Sequence, residues 1–269
     1  MQLILIELNE INFEYAKKFF DVLKIDTIKK ISKDLINTES ENSYELLEPW
    51  IQWHSIHTGC SAKDHGIFRL GDAIYSKKTQ LFEELETDHL KVGSISAMNS
   101  INNLKDPSYF IPDPWTKTKS DDGFFSKIIT TLLKDTVNNN ASGKFSIKNY
   151  FYLIIIFLRF VRLKKYVAFF KFFISSFFGK WRKALFLDML IHEIHLNLLI
   201  AKKPNFSCVF FNAGAHIQHH YLLNSLANIT NIKNPEKIIN KNNDPFKEML
   251  KVYDEILKDF FINAENIII

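Results

Sequence analysis

Three short β-rich runs, residues 2–7, 91–97 and 206–212, lie far apart along this chain, with helical spacing between them. That separation constrains the fold more than any other feature. Strands so distant cannot be joined as hairpins, and strands alternating with helices build a largely parallel sheet covered by helices. The first run, Leu3-Ile4-Leu5-Ile6, is apolar without alternation, as expected of a strand buried on both faces. The final Ile267-Ile268-Ile269 carries the same signature and admits two readings. It is either a short edge strand or the first half of a buried strand in a chain shorter than its fold.

Helical patterns fill the intervals. Asn12 is placed to cap a helix in which Phe13, Ala16, Phe19, Phe20 and Leu23 recur at helical spacing. Further helices are predicted over 79–86, 124–133, 147–178 and 181–201. The last begins with Asp244 as N-cap and Pro245 in the first turn, and carries a stripe running from Phe246 to Phe261. The expected fold class is therefore α/β, an α/β/α sandwich around a mainly parallel central sheet.

Composition removes several alternatives. An aromatic content of 14% excludes disorder, and only 8 Gly and 7 Pro exclude linker-like chains. No two glycines stand two apart, so neither the dinucleotide fingerprint nor the P-loop can be written onto the sequence. Cys60 and Cys208 form no C-x-x-C pair and indicate neither a disulfide framework nor a structural zinc finger. The N-terminal run lacks the basic region of a secretion signal, which points to the cytoplasm.

Charge is unevenly distributed. Residues 136–187 hold ten Lys or Arg and no Asp or Glu, whereas the remainder carries 24 basic against 30 acidic residues. The same segment holds 11 of the 25 Phe, and its longest uninterrupted apolar run is the nine residues from Tyr150 to Leu158. Nine residues fall well short of the roughly 20 that span a bilayer. The aromatics come in blocks rather than interleaved along a basic groove, so nucleic acid is not expected. A docking contact with a membrane surface or a partner through 147–178 is, with a peripheral position on the inner face of the membrane. The chain accordingly divides into an N-terminal part of the core (1–135), a basic aromatic helical insertion (136–200) and a second part of the core (201–269).

Polar groups gather at three strand ends, where α/β proteins place their sites. Glu7, Asn9 and Glu10 follow the first run, and their oxygens suit a hard or borderline cation. His216, His219 and His220 follow the run at 206–212, and His216 and His220 stand four apart, on one helical face. Between these lies a dense segment with Gln52, Trp53, His54, Ser55, His57, Thr58 and His65. No G-x-S-x-G elbow supports a Ser-His-Asp hydrolase.

The order of these features resembles the alkaline phosphatase superfamily, in its type I phosphodiesterase and nucleotide pyrophosphatase branch. The resemblance rests on a strand with an acidic turn, on P-x-x-x-W-x-S-x-x-T-G-x-x-x-x-x-H-G-I from Pro49 to Ile67, and on the Gln218-His219 pair after a later strand. It implies a divergent metal-dependent phosphoester or phosphodiester hydrolase using a divalent cation, zinc or manganese. The implied substrate is a phosphorylated or otherwise anionic small molecule or glycan. Glu7, Asn9, Glu10, His216, His219 and His220 would then serve the metal, and Gln52, Trp53, His54, His57 and His65 the substrate. Three letters depart from the family: Asn9 and Ala215 replace metal-binding Asp residues, and Pro49 falls where a nucleophilic Thr or Ser belongs. Ser55 and Thr58 are the nearest substitute nucleophiles. The family's S-D-H-G strand would begin about where Ile267–269 lie, so the resemblance also implies truncation before the last metal-binding strand. The alternative is a non-catalytic binding protein or an inactive fragment.

Overall fold

Alternate residues of the strands face opposite helical layers, and this sorts the core. The computed structural model describes residues 2–36, 38, 43–138, 146–235, 239, 242–263 and 266–269. Five strands, β1 (Leu3–Leu8), β2 (Val92–Ile95), β3 (Tyr109–Ile111), β4 (Phe206–Phe211) and β5 (Asn266–Ile268), form one all-parallel sheet in the order β3-β2-β4-β1-β5. Ile4, Ile6, Val209 and Phe211 join one buried cluster, and Leu3, Leu5, Phe206 and Cys208 belong to the other.

The helices are α1 (Phe13–Lys17), α2 (Phe20–Leu23), α3 (Asp26–Ile31), α4 (Pro49–Thr58), α5 (Ala62–His65), α6 (Leu81–Thr87), α7 (Phe124–Asn138), α8 (Ile147–Phe160), α9 (Tyr166–Ser176), α10 (Trp181–Lys202), α11 (Ala213–Tyr221) and α12 (Pro245–Asn263). Residues of α7, α8, α10 and α12 fill the larger cluster with the first set of strand residues, while Phe82 of α6 fills the smaller. The chain is thus a mixed α/β protein with helices on both faces of a parallel sheet. The larger cluster draws on all parts of the chain, from Ile4 through Phe169 and Leu185 to Phe260.

Asn12 caps α1 as expected, accepting from the Tyr15 N–H at 3.1 Å, and Asp244 accepts from Lys247 N–H at 3.0 Å before α12. Several expected elements are cut differently. The helix predicted from Phe13 to Leu23 breaks between Lys17 and Phe20, where Phe19 turns into the core against Phe246. The helix predicted over 147–178 becomes α8 and α9. Val161 is extended at the break, and Arg162 is held there by Glu193 and Asp259. The run at 91–97 is a strand as far as Ile95; Ser96 N–H still donates to the Ile111 carbonyl at 2.7 Å, and its φ of +62° then turns the chain away. The isoleucines of β5 lie on the sheet edge, paired to β1 among the described residues, with Ile268 52% exposed.

Among the described residues α10 is the one helix long and apolar enough to cross a membrane, yet 56% of its apolar window is buried within the fold. It packs on β4, α9, α11 and α12.

Candidate functional site

At the C-terminal ends of β1 and β4 the chain leaves the sheet twice, and a cleft of about 490 Å³ opens between the two exits. After β1 the chain turns at Glu10, whose φ is +58°. After β4 it enters α11 with Ala213-Gly214. A side chain at Gly214 would strike Ile11 Cδ1 at 2.3 Å and the Asn9 carbonyl oxygen at 3.1 Å, so glycine lets α11 close on the β1 corner. The first turn of α11 is held from below: Asp188 accepts from Ala213 N–H at 2.8 Å and from the Tyr253 hydroxyl at 2.6 Å. Tyr253 accepts in turn from Gly214 N–H at 2.9 Å. Burial pushes the Asp188 carboxyl up to about 6 against the pull of these donors.

The two exits are sewn together across the cleft. Asn9 donates to Asn212 Oδ1 at 2.8 Å and accepts from the Trp53 indole at 3.1 Å. Gln218 accepts from Asn12 N–H at 3.2 Å and donates to the Glu10 carbonyl. His219 meets the Glu10 carboxylate through Nε2. His216 and His220 face each other with ring centroids 4.8 Å apart, and neither ring has a hydrogen bond among the described residues. Burial, with His220 and His219 nearby, pushes His216 below the usual imidazole range and keeps it neutral near pH 7. Pro49 and Trp50, in the uncapped first turn of α4, form another wall of the same cleft.

Of the sequence-predicted residues, Asn9, Glu10, His216, His219 and His220 line this cleft. The others do not: each has a protein partner, although Glu7 Oε2, His54 Nε2 and His57 Nδ1 are buried with no hydrogen bond among the described residues. Glu7 is buried beneath the corner and is hydrogen-bonded through Oε1 to His57 Nε2 at 2.6 Å, away from the cleft lining. His54, fully buried, donates through Nδ1 to the Asn99 carbonyl at 3.0 Å, and burial first, then His65 and His57, lower it to about 4. His65 Nδ1 accepts from Ile67 N–H at 3.0 Å, which leaves its proton on Nε2, donated to Ser55 Oγ at 2.9 Å. In that tautomer His65 cannot accept the proton of Ser55. Thr58 donates to the His54 carbonyl one turn back, and Gly59 at φ +63° closes α4 behind it. Gln52 donates to the Leu47 carbonyl at 2.6 Å. Trp53 acts through Asn9 rather than on the cleft itself. The nucleophile and substrate roles expected of these residues thus find no place in the lining of this cleft, where each of them is held by a protein partner instead.

Sequence reasoning missed the residues that shape the far wall. Asn99, at φ +53°, accepts from Gly71 and Ala73 N–H and donates to the Trp50 carbonyl at 2.9 Å. Asp113 accepts from the backbone N–H of Asn99, Trp115 and Thr116. Together they fix Met98 and Trp115, which line the cleft. A chemical signal was present, since Asn at a positive φ and Asp beside Pro are turn formers.

Chemically, the cleft offers one carboxylate, three imidazoles and two amides. The Glu10 carboxylate, in contact with His219, and the rings of His216 and His220 are donor types that a borderline divalent cation takes. Ala215 adds no donor to them, and Glu7 lies outside the cleft lining, bonded through Oε1 to His57. Among the described residues, the group of three metal-capable side chains whose ligand atoms come together, all within 4.8 Å of one another, is His192, Glu193 and Asp259, outside the cleft, and there the Arg162 guanidinium already serves both carboxylates. No family model, no curated protein and no solved structure matches this chain.

Proposed function

We propose that this chain is a divergent, alkaline-phosphatase-like metal-dependent phosphoester or phosphodiester hydrolase reduced to a single-cation site. One observation carries the reading: Asn9 and Glu10, the first turn of α4 and the imidazoles of α11 meet in one cleft at the C-terminal ends of β1 and β4. These are the positions that the sequence resemblance assigns to metal ligands and to the attacking group. Glu10 and His219, with His216 or His220, would hold zinc or manganese. The ion supplies Lewis-acid polarisation of a phosphoryl oxygen. Trp50, Trp115 and the uncapped N-terminus of α4 orient the anionic substrate.

The family's covalent step has no hydroxyl here. Pro49 occupies the nucleophile's place, while Ser55 and Thr58 lie outside the cleft. Hydrolysis must therefore use water as the attacking group. Pro49 also favours a second reading, a binding protein that retains a phosphorylated ligand without turning it over.

Purified protein is expected to carry one zinc or manganese per chain by elemental analysis, and His219→Ala to lose it. Slow metal-dependent cleavage of an aryl phosphodiester supports the hydrolase, and metal-dependent binding of inorganic phosphate without turnover supports the binding protein. In the first case Pro49→Thr, which restores the hydroxyl, should raise the rate at least tenfold. A chain that takes up neither metal nor phosphate ends both readings.

A further inference from the structure

Helices α8 and α9 take no part in the cleft, yet each carries two apolar faces where a surface helix needs one. Ile156 and Phe160 of α8 and Phe169 of α9 are buried in the core. On the opposite side of α8, Ile147, Phe151, Ile154 and Leu158 recur at i, i+4, i+7 and i+11, all exposed. Val167, Phe170 and Ile174 form a second stripe on α9, continued by Phe177 at its C-cap, all exposed. Between the helices opens a groove of about 570 Å³ lined by Phe157, Phe169 and Phe186. Leu163 and Phe178, flanking α9, are 81% and 83% exposed. Single exposed apolar side chains are ordinary; two stripes flanking one groove are not.

Charge identifies the occupant. Of the ten basic residues in 136–187, Arg162, Lys165 and Arg182 are engaged by Glu193, Asp259, Glu255 and Glu248. Lys148, Lys164, Lys171, Lys180 and Lys183 are exposed and have no carboxylate partner among the described residues. We propose that this face docks on an anionic phospholipid bilayer, with α8 and α9 lying in the headgroup plane. The apolar stripes enter the acyl boundary and the lysines sit among lipid phosphates. A second copy of the chain suits the face poorly, because a symmetric contact would set lysine against lysine with no acid in the segment to pair them. Nucleic acid would answer the lysines and leave the aliphatic stripes uncovered.

The test is co-sedimentation of the full chain with vesicles of phosphatidylcholine alone and of phosphatidylcholine mixed with phosphatidylserine. Binding is expected to the mixed vesicles, weakened by salt, with little to the neutral ones. Lys164→Gln and Lys171→Gln should each lower the partition coefficient about fivefold. Ile154→Ser with Phe170→Ser, both at exposed positions, should abolish binding while leaving the circular dichroism spectrum unchanged. Equal binding to both vesicle types, or none, overturns the proposal. So does a concentration-dependent dimer in light scattering that Phe170→Ser dissolves, or displacement from vesicles by duplex DNA that Ile154→Ser and Phe170→Ser leave intact. The measurement needs neither metal nor turnover, so it stands apart from the reading of the cleft.

Discussion

Asp188 is 2% exposed beneath the first turn of α11 and is the acceptor on which that turn depends. Asp188→Ala leaves the Tyr253 O–H proton and the Ala213 N–H buried without an acceptor, each a cost of about 1–3 kcal/mol. The expected loss is therefore about 3 kcal/mol in urea unfolding, and Asp188→Asn should recover part of it through the amide oxygen. At this scale the site was half legible. Three imidazoles directly behind a strand announce themselves by density. Glu7 and His57 could not be told apart from them, because one residue along a strand reverses the face a side chain takes. Glu7 points into the core and Glu10 into the cleft. Asp188 and Tyr253 left no local mark, since their partners lie 25 and 39 residues away.

Gly93 stands opposite Tyr109 in the β2–β3 register, and the phenol ring covers it. A Cβ there would meet ring atoms at 2.4 to 2.8 Å. The ring cannot retreat, because its hydroxyl is bonded to Ser207 Oγ at 2.6 Å, which also meets His195 Nε2 at 2.6 Å. Gly93→Ala should therefore cost about 1–3 kcal/mol of overpacking, measured as a lower thermal midpoint. The elements themselves were unevenly readable. β1 and β4 are central, flanked on both edges, and their continuous apolar runs declare it. β3 escaped notice because three residues within a loop rich in Asp and Pro show no periodicity. The break between α8 and α9 carries neither Gly nor Pro; it comes from the pairing of Arg162 with carboxylates on α10 and α12, which no local pattern records.

Taken as a whole, the molecule buries imidazoles, and that sets its response to acid. Burial lowers His54 to about 4, and burial with His192 nearby lowers His195 to about 3, against 6.5 in an unfolded chain. A histidine held below its unfolded value contributes stability that is complete above pH 6.5 and is lost as pH falls toward the folded value. Asp188, raised to about 6, acts in the opposite sense, contributing most below 3.8 and losing it as pH rises. Two imidazoles outweigh one carboxyl, so unfolding free energy should drop by about 4 kcal/mol between pH 7 and pH 4, checked by urea titration at each pH. The order of the sheet has a further consequence during synthesis. Both neighbours of β1, β4 and β5, are translated after residue 205, so the first strand leaves the ribosome with nothing to pair with until about three-quarters of the polypeptide has been made. An apolar Leu-Ile-Leu-Ile stretch kept waiting that long is a natural client for a chaperone that shields nascent chains.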